Sequence, residues 1–193
     1  RKETEEALRH RHAFEQLITT ISTRLVHVGL HQMDAALDEA LADLGRFAGV
    51  DRTYLFEFDD SRDTMRNTHE WCAEGIQPHL SELQDLAVAD FPRVADQVRQ
   101  GRLAQVPRVR DLPPEEAAAK REFEREGIRS LVLIPTVCRG KVVGFLGLDS
   151  VRTERTWSEE MVGLLQITAN VLAGAMERRR AEQDLRDSED RYR

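Results

Sequence analysis

Residues 129–150, RSLVLIPTVCRGKVVGFLGLDS, have the pattern of two β-strands joined by a tight turn at Arg139-Gly140. Apolar residues occupy both sets of alternating positions in the first strand, which is typical of a central strand covered on both faces. The second strand contains Gly144 and Gly147. Because glycine weakens a strand unless something bulky approaches the backbone, we expect a helix or a ligand beside these two residues.

Helices are predicted before and after this hairpin. Apolar residues recur at helical spacing over residues 14–28 and again over 33–48. A last helix begins after Ser158, a candidate N-cap, and has no stop signal before the charged segment 177–193. The predicted parts of the chain are a helical linker at 1–13, a domain at 14–176, and a helical linker at 177–193 that leads toward a following module.

A first strand pair at 51–75 and an irregular middle at 76–128 separate the early helices from the hairpin. In the return strand of the pair, unbroken alternation places Met65 and Asn67 on the same face as His69 and Trp71. The elements predicted in the middle are a short helix near 80–86, a helix capped by Asp90, an edge strand at 102–106 and a helix after Pro113-Pro114.

Composition excludes several classes of function. The 193 residues carry a formal net charge of −7, whereas a nucleic-acid binder needs a basic surface. No apolar run approaches the roughly 18 residues that span a membrane, so we expect no direct membrane insertion. The two cysteines, Cys72 and Cys138, fit a reducing, cytoplasmic compartment better than a disulfide framework.

The order of these elements resembles that of the GAF domain family. The most specific match is VVGFLGLDS at 142–150, followed by WSEE at 157–160 where the last helix opens. HEWCAEGI at 69–76 is similar to the second strand of a bacterial GAF subgroup. The flanks resemble the helical linkers of sensor histidine kinases and cyclic-dinucleotide enzymes, and SEDRYR at 188–193 resembles the lead into a PAS domain.

The resemblance implies an α+β fold with an antiparallel sheet in the strand order 2-1-5-4-3. The terminal helices would cover one face of the sheet, and the middle helices would enclose a small-ligand pocket on the other. The resemblance assigns five side chains to the pocket wall, and the alternative for each of them is that it simply fills the core. These side chains are Trp71, His69, Phe91, Phe123 and Phe145.

The sequence leaves the ligand and any cofactor unidentified. The Asn-Lys-Phe-Asp-Glu signature of cyclic-nucleotide-binding GAF domains is absent. The middle region, 76–128, also lacks the cysteine to which GAF domains of the phytochrome type usually attach a bilin. The resemblance therefore implies a pocket without naming its occupant.

We predict no catalytic or metal site. His27 and His31 have a spacing that binds zinc on a continuous helix, but Gly29 separates them and no third ligand is evident. One branch of GAF-like proteins reduces free methionine sulfoxide, which requires a low-pKa thiolate and a resolving thiol. Cys72 and Cys138 lie on separate predicted strands, so we predict that neither is catalytic.

The leading hypothesis is a sensory or regulatory module that binds a small ligand and signals through its terminal helices to an output domain in the same parent chain. The alternative is a structural dimerisation spacer without a ligand. Apolar spacing in the first and last helices predicts a homodimer joined by a bundle of these helices. The residues expected to hold the dimer helices together are Leu17, Ile21, Leu25, Leu164, Thr168, Val171, Ala175 and Leu185, with Tyr192 beyond them.

Overall fold

The computed structural model describes residues 2–191, which form one antiparallel sheet with helices on both of its faces. The strands are β1 (Arg52–Asp59), β2 (Thr64–Cys72), β3 (Leu86–Ala87), β4 (Ala104–Val106), β5 (Ser130–Cys138) and β6 (Lys141–Ser150). The α-helices are α1 (Lys2–His27), α2 (Met33–Ala48), α3 (Pro92–Arg99), α4 (Ala117–Arg125) and α5 (Glu159–Arg191). Tyr192, expected near the dimer seam, lies outside the described residues.

The sheet has the strand order β3-β2-β1-β6-β5-β4. The strands predicted from the sequence have the neighbours that the order 2-1-5-4-3 assigned to them, and β3 adds a further strand beyond β2. The α+β class and the antiparallel sheet are therefore confirmed, with a difference in detail at one edge.

The short helix expected near residues 80–86 is not formed. The backbone N–H groups of His79 and Leu80 donate to the Glu70 carboxylate, at 2.9 and 2.7 Å. The carbonyl oxygen of Leu83 accepts from the backbone N–H of Asn67 in β2 at 2.8 Å. Because these backbone groups bond to β2, the segment follows the sheet edge as turns and ends in β3.

The two faces of the sheet bury separate apolar cores. In β6, Phe145 belongs to the core beneath α3 and α4, whereas Leu146 belongs to the core beneath α1, α2 and α5. In β5, Leu133 and Ile134 divide in the same way. The prediction that β5 is a central strand with two apolar faces is confirmed.

The expectation of a helix or ligand beside the β6 glycines is wrong, because β1 fills both positions. A Cβ atom on Gly144 would lie 1.8 Å from the carbonyl oxygen of Phe56. A Cβ atom on Gly147 would lie 1.9 Å from Cε2 of Tyr54, its direct cross-strand partner. The glycines therefore let β1 and the ring of Tyr54 pack closely across β6.

A β-bulge interrupts β2. Leu55 of β1 pairs with His69, but its neighbour Phe56 pairs with Asn67, which leaves Thr68 as an extra residue. The extra residue reverses the alternation of side chains, so Met65 joins the core beneath α3 and α4, whereas Trp71 packs against the core beneath α2. The prediction that Met65 and Trp71 share a face is therefore wrong.

Two predicted helix starts have different outcomes. Ser158 caps α5, because its Oγ accepts from the backbone N–H of Met161 at 3.2 Å. Asp90 does not cap α3, since the helix follows Phe91 and the buried Glu116 carboxylate accepts from the backbone N–H of Arg93 at 2.9 Å. Among residues 2–191, no helix combines the length and apolar composition that crossing a membrane requires.

Candidate functional site

A cavity of about 40 Å³ lies between the sheet and the segment that contains α3 and α4. By the same kind of measure, a single water needs roughly 10–15 Å³, so the cavity has room for a few heavy atoms. It falls well short of the roughly 300–1,000 Å³ that pockets for drug-sized ligands occupy. Its lining residues are Tyr54, Phe56, Met65, Leu83, Leu86, Phe91, Val94, Ala95, Phe123, Glu126, Ile128, Leu133 and Phe145.

Three of the predicted wall residues meet at this cavity. The rings of Phe91 and Phe123 lie 5.8 Å apart in a tilted arrangement. Phe145 stacks on Phe56 with 4.8 Å between ring centroids. The fold thus brings aromatic residues from α4, from β1 and β6, and from the residue before α3 to one apolar space.

The other two predicted wall residues, Trp71 and His69, lie on the opposite face of the sheet. The Trp71 ring covers Gly45 of α2, where an added Cβ would be 2.2 Å from the ring. His69 is buried, with Nε2 3.0 Å from Oδ1 of Asp34. Because the bulge at Thr68 turns both side chains toward α2, their assignment to the pocket wall is wrong.

A buried polar cluster borders the cavity, and sequence reasoning missed it. Tyr54 donates its phenolic hydrogen to Oδ1 of Asp149 at 2.7 Å. Nη1 of Arg52 lies 3.5 Å from Oε2 of Glu126, and its Nη2 donates to the carbonyl oxygen of the same residue. The available signal was a pair of charged residues, Arg52 and Asp149, at the ends of otherwise apolar strands.

This cluster holds two carboxyl groups and one guanidinium. Nε of Arg52 lies 3.9 Å from Oδ2 of Asp149, and neither atom has a hydrogen-bond partner. Burial raises the pKa of Asp149 to about 7. Burial, followed by the nearby charge of Asp149, also raises the pKa of Glu126 well above its ordinary range. The site therefore favours a bound proton, or another positive charge, beside its second carboxyl group.

A larger cleft of about 880 Å³ lies between the β1–β2 turn and the last part of α5, and Met65 lines both this cleft and the smaller cavity. The wall of the cleft mixes acidic residues such as Asp59 and Glu182 with basic ones such as Lys141 and Arg180. Because its wall is mainly polar and carries both signs of charge, we regard it as a solvated groove and place the candidate site at the smaller cavity, whose wall is mainly apolar.

Three consecutive residues of α5, Glu177 to Arg179, tie that helix to the rest of the domain, and we call them the exit clasp. The Glu177 carboxylate pairs with Arg139 in the β5–β6 turn at 2.8 Å and accepts from the Cys138 thiol. Arg178 donates to the carbonyl oxygen of Val28 at 2.6 Å, just beyond the end of α1. These contacts link α5 to the β5–β6 turn and to α1.

Arg179 completes the exit clasp and reaches two further elements. It lies 2.5 Å from Asp34 in the first turn of α2 and 3.6 Å from Glu57 of β1. Asp34 is also the partner of His69. A chain of polar side-chain contacts therefore runs from the bulged strand β2 through α2 to the point where α5 leaves the domain.

Most residues predicted to hold the dimer together instead stabilise their own domain. Those buried in the core beneath α1, α2 and α5 are Ile21, Leu25, Leu164, Thr168 and Ala175, while Leu17 and Val171 pack partly against it. Leu185 is 59% exposed and remains available to a partner. The other large apolar side chains exposed on these helices are Leu8 at 68%, Val26 at 64% and Ile167 at 50%.

Neither cysteine has the character of a catalytic thiolate. Burial and the neighbouring Glu70 carboxylate raise the pKa of the Cys72 thiol to about 12. The hydrogen bond to Glu177 raises the pKa of Cys138. In the part of the chain that the structure describes, no group of three His, Cys, Asp or Glu side chains is arranged to hold a metal ion.

Sequence comparisons agree with this architecture. The family model of the GAF domain matches residues 32–176. The methanogenesis regulatory histidine kinase FilI of Methanothrix harundinacea (strain 6Ac) is 30% identical over 160 residues. The match covers 80% of this chain but only 18% of the kinase.

Solved structures share the fold at low sequence identity. The GAF domain of a phosphoenolpyruvate-protein phosphotransferase (ptsP) from Coxiella burnetii superposes with a TM-score of 0.73 at 15% identity, covering 90% of this chain and 98% of that one. The phycocyanobilin-bound GAF domain of a cyanobacterial phytochrome gives a TM-score of 0.69 at 18% identity, covering 88% of this chain and 96% of that one. At these identities, the likeness concerns the fold alone.

Proposed function

This chain belongs to the GAF domain family, and we propose that it is a sensory module that binds a small ligand beneath α3 and α4. In this proposal, the binding state is relayed through α5 to an output domain of the same parent protein. The regulatory histidine kinase relative supports a role in signalling and suggests a kinase as one class of output. The free cysteines fit a cytoplasmic setting.

One observation carries the proposal: β5 and β6 line the cavity on one face of the sheet and pack against α5, the helix that would carry the signal, on the other face. In β6, Phe145 lines the cavity, and the next residue, Leu146, belongs to the core shared with α5. β5 packs directly against α5. Because packed cores transmit displacement, a ligand that moves Phe145 shifts the surface on which α5 rests.

The exit clasp could transmit a displacement of the sheet to the part of α5 that extends beyond the domain. Its contacts with α1, α2, β1 and the β5–β6 turn set the position of α5 just before the helix leaves the core. Exposed ion pairs are individually weak, so several together form a restraint that small movements can rearrange. This suits a relay better than a rigid apolar joint would.

A bilin is not our choice of ligand. The cavity has room for a few heavy atoms, and residues 76–128 contain no cysteine. The pigment described for the phytochrome neighbour is therefore not transferred to this chain. A compact ligand agrees with the volume.

We propose a homodimer through one face of α1 and one face of α5. Leu8 and Val26 lie about five helical turns apart on α1, and Ile167 and Leu185 have the same separation on α5, so each pair shares a helix face. All four are exposed. Burying them against a second copy would remove apolar surface from water.

Light scattering at micromolar concentration tests the dimer. The double variant Ile167→Glu/Leu185→Glu should run as a monomer, because it places charges at the apolar contacts. Val137→Glu is the control, since Val137 is also exposed but lies on β5. A wild-type monomer, or a double variant that dimerises as well as wild type, would refute this interface.

Hydrogen exchange tests the relay and separates it from a passive spacer. Ala95→Met should fill the cavity, because Ala95 is buried and lines it. We expect altered protection in residues 160–191 of α5, which the variant does not touch. Native mass spectrometry of the wild type should reveal a retained small molecule as added mass. Unchanged protection in α5 together with no added mass would favour the spacer.

A further inference from the structure

We propose that the cavity selects a compact organic cation, such as a methylated ammonium ion, held among aromatic rings with the Glu126 carboxylate at its polar end. The inference rests on the proposed function, since it names the ligand class of the same site. Three features of the cavity point to this ligand class: the aromatic wall, the surplus carboxyl group and the small volume.

Aromatic rings form much of the cavity wall. A ring attracts cations to its face through its quadrupole, most strongly where water is excluded. In residues 2–191, the arginines that stack on rings contact Trp71, Phe58 and Trp157, none of which lines the cavity. No arginine in this range therefore occupies the rings of the cavity, although Phe56 and Phe145 stack on each other and leave only their outer faces to a cation. The rings of the cavity are those of Tyr54, Phe56, Phe91, Phe123 and Phe145.

Glu126 supplies the charge. Its side chain is 8% exposed and forms part of the wall. Arg52 is the guanidinium beside it, at 3.5 Å, and must also serve Asp149, at 3.9 Å. One guanidinium cannot neutralise both buried carboxylates, so the site has a surplus negative charge whenever both are ionised. An organic cation in the cavity would balance that charge.

The volume of the cavity limits the size of the ligand group that can enter it. A volume of about 40 Å³ exceeds what one water needs and admits a group of only a few heavy atoms, such as the trimethylammonium head of a larger cation. A quaternary methylated ammonium group is compact, carries its charge within an apolar shell, and has no N–H group that would need a hydrogen-bond acceptor. Those properties match a wall whose polar contribution comes from Tyr54 and Glu126.

Cation binding should displace the proton that Glu126 holds. The titratable and charged groups that face Glu126 are Arg52 and Tyr54 of β1, Asp149 of β6 and Glu122 of α4. Burial raises the pKa of Glu126 above neutrality, so the carboxyl must ionise before it can pair with the cation. Between about pH 7 and 8, above the pKa of Asp149 and below that of Glu126, affinity should therefore rise by up to about tenfold per pH unit.

Isothermal titration calorimetry of the full chain with choline chloride, whose trimethylammonium head is the part expected to enter the cavity, tests the proposal at constant ionic strength. The matched probe is 3,3-dimethylbutan-1-ol, which has nearly the same shape without the charge. We expect choline to bind at least about tenfold more tightly than the alcohol. Its binding enthalpy should also depend on the buffer, because a proton is released.

Variants locate the site. Glu126→Gln keeps the shape and removes the charge, and we expect it to weaken choline binding at least about tenfold. Glu124→Gln, an exposed neighbour, is the control and should bind like the wild type. Phe123→Leu keeps an apolar side chain without the ring and should also weaken choline binding, which preserves the test if Glu126→Gln fails to fold.

Equal binding of choline and the alcohol, unchanged binding by both site variants, or no choline binding at millimolar concentration would each overturn the proposal. The proposed sensory function fails separately. The sensory function is rejected if Ala95→Met leaves the hydrogen exchange of α5 unchanged and native mass spectrometry detects no retained small molecule, regardless of the result with choline. Conversely, if choline does not bind but Ala95→Met alters hydrogen exchange in α5, only the proposed ligand class is rejected.

Discussion

Gly147→Ala should be among the most destabilising single-methyl additions in the protein. The new Cβ would lie 1.9 Å from Cε2 of the Tyr54 ring and 2.6 Å from its hydroxyl oxygen. Tyr54 cannot simply rotate away, since its ring is buried and its hydroxyl donates to Asp149 at 2.7 Å. The substitution therefore forces the ring out of its seat and breaks that hydrogen bond.

Two effects determine how much Gly147→Ala lowers the free energy of unfolding. Overpacking a closely packed core costs about 1–3 kcal/mol. Losing a buried hydrogen bond to a carboxylate costs about 1.5–3 kcal/mol more. We expect a loss of about 3–5 kcal/mol in the free energy of unfolding, a large fraction of the roughly 5–15 kcal/mol typical of a domain.

Urea unfolding followed by circular dichroism measures this loss. Gly163→Ala is the matched control, because a Cβ there meets nothing within 4 Å and the residue lies within α5. Alanine should stabilise that helix by up to about 1 kcal/mol. The decisive comparison adds Gly147→Ala to Tyr54→Ala, where the ring is absent and the further cost should fall below about 1 kcal/mol. If the two costs simply add, the clash with Tyr54 is not the cause and the reasoning is refuted.

Three further predictions concern charge and reactivity. Asp149 has a folded-state pKa of about 7, above its ordinary value of 3.8, so the folded protein holds this proton more tightly than the unfolded chain does. The free energy of unfolding should therefore fall by up to about 4 kcal/mol as the pH rises from about 4 to 7. Asp149→Asn should flatten this slope in urea titrations across that range. Arg179→Met should speed hydrogen exchange in residues 177–191, whereas Arg186→Met, which removes only an exposed pair with Glu182, should not. Cys72 should react with iodoacetamide at pH 8 at least about tenfold more slowly in the native protein than in urea, because its raised pKa leaves little thiolate.

The elements that the sequence predicts well are those with local signals. The β5–β6 hairpin, the apolar faces of β5 and the start of α5 at Ser158 all follow from periodicity and capping within a few residues. The buried cluster of Arg52, Glu126 and Asp149 has no such signal. Its members lie far apart in the chain and meet only after the sheet has paired β1 with β6.

The dimer seam illustrates a different limit. Helical periodicity identifies the apolar stripe of a helix, but not the surface that the stripe covers. In α5, the stripe that includes Leu164 and Thr168 packs on its own sheet. Of the residues left for a partner, Leu185 belongs to the predicted set, whereas Ile167 lies outside the periodic pattern and only the structure identifies it as exposed.

The bulge at Thr68 shows how one extra residue assigns two roles to one strand. Before it, Met65 faces the cavity; after it, His69 faces α2 and binds Asp34, which in turn binds Arg179 of the exit clasp. Without the bulge, His69 would point toward the cavity, and the chain of polar contacts to α5 would lose its link to β2. The bulge thus lets a single strand contact both the proposed ligand site and the proposed output helix, which is the connection that a relay between them requires.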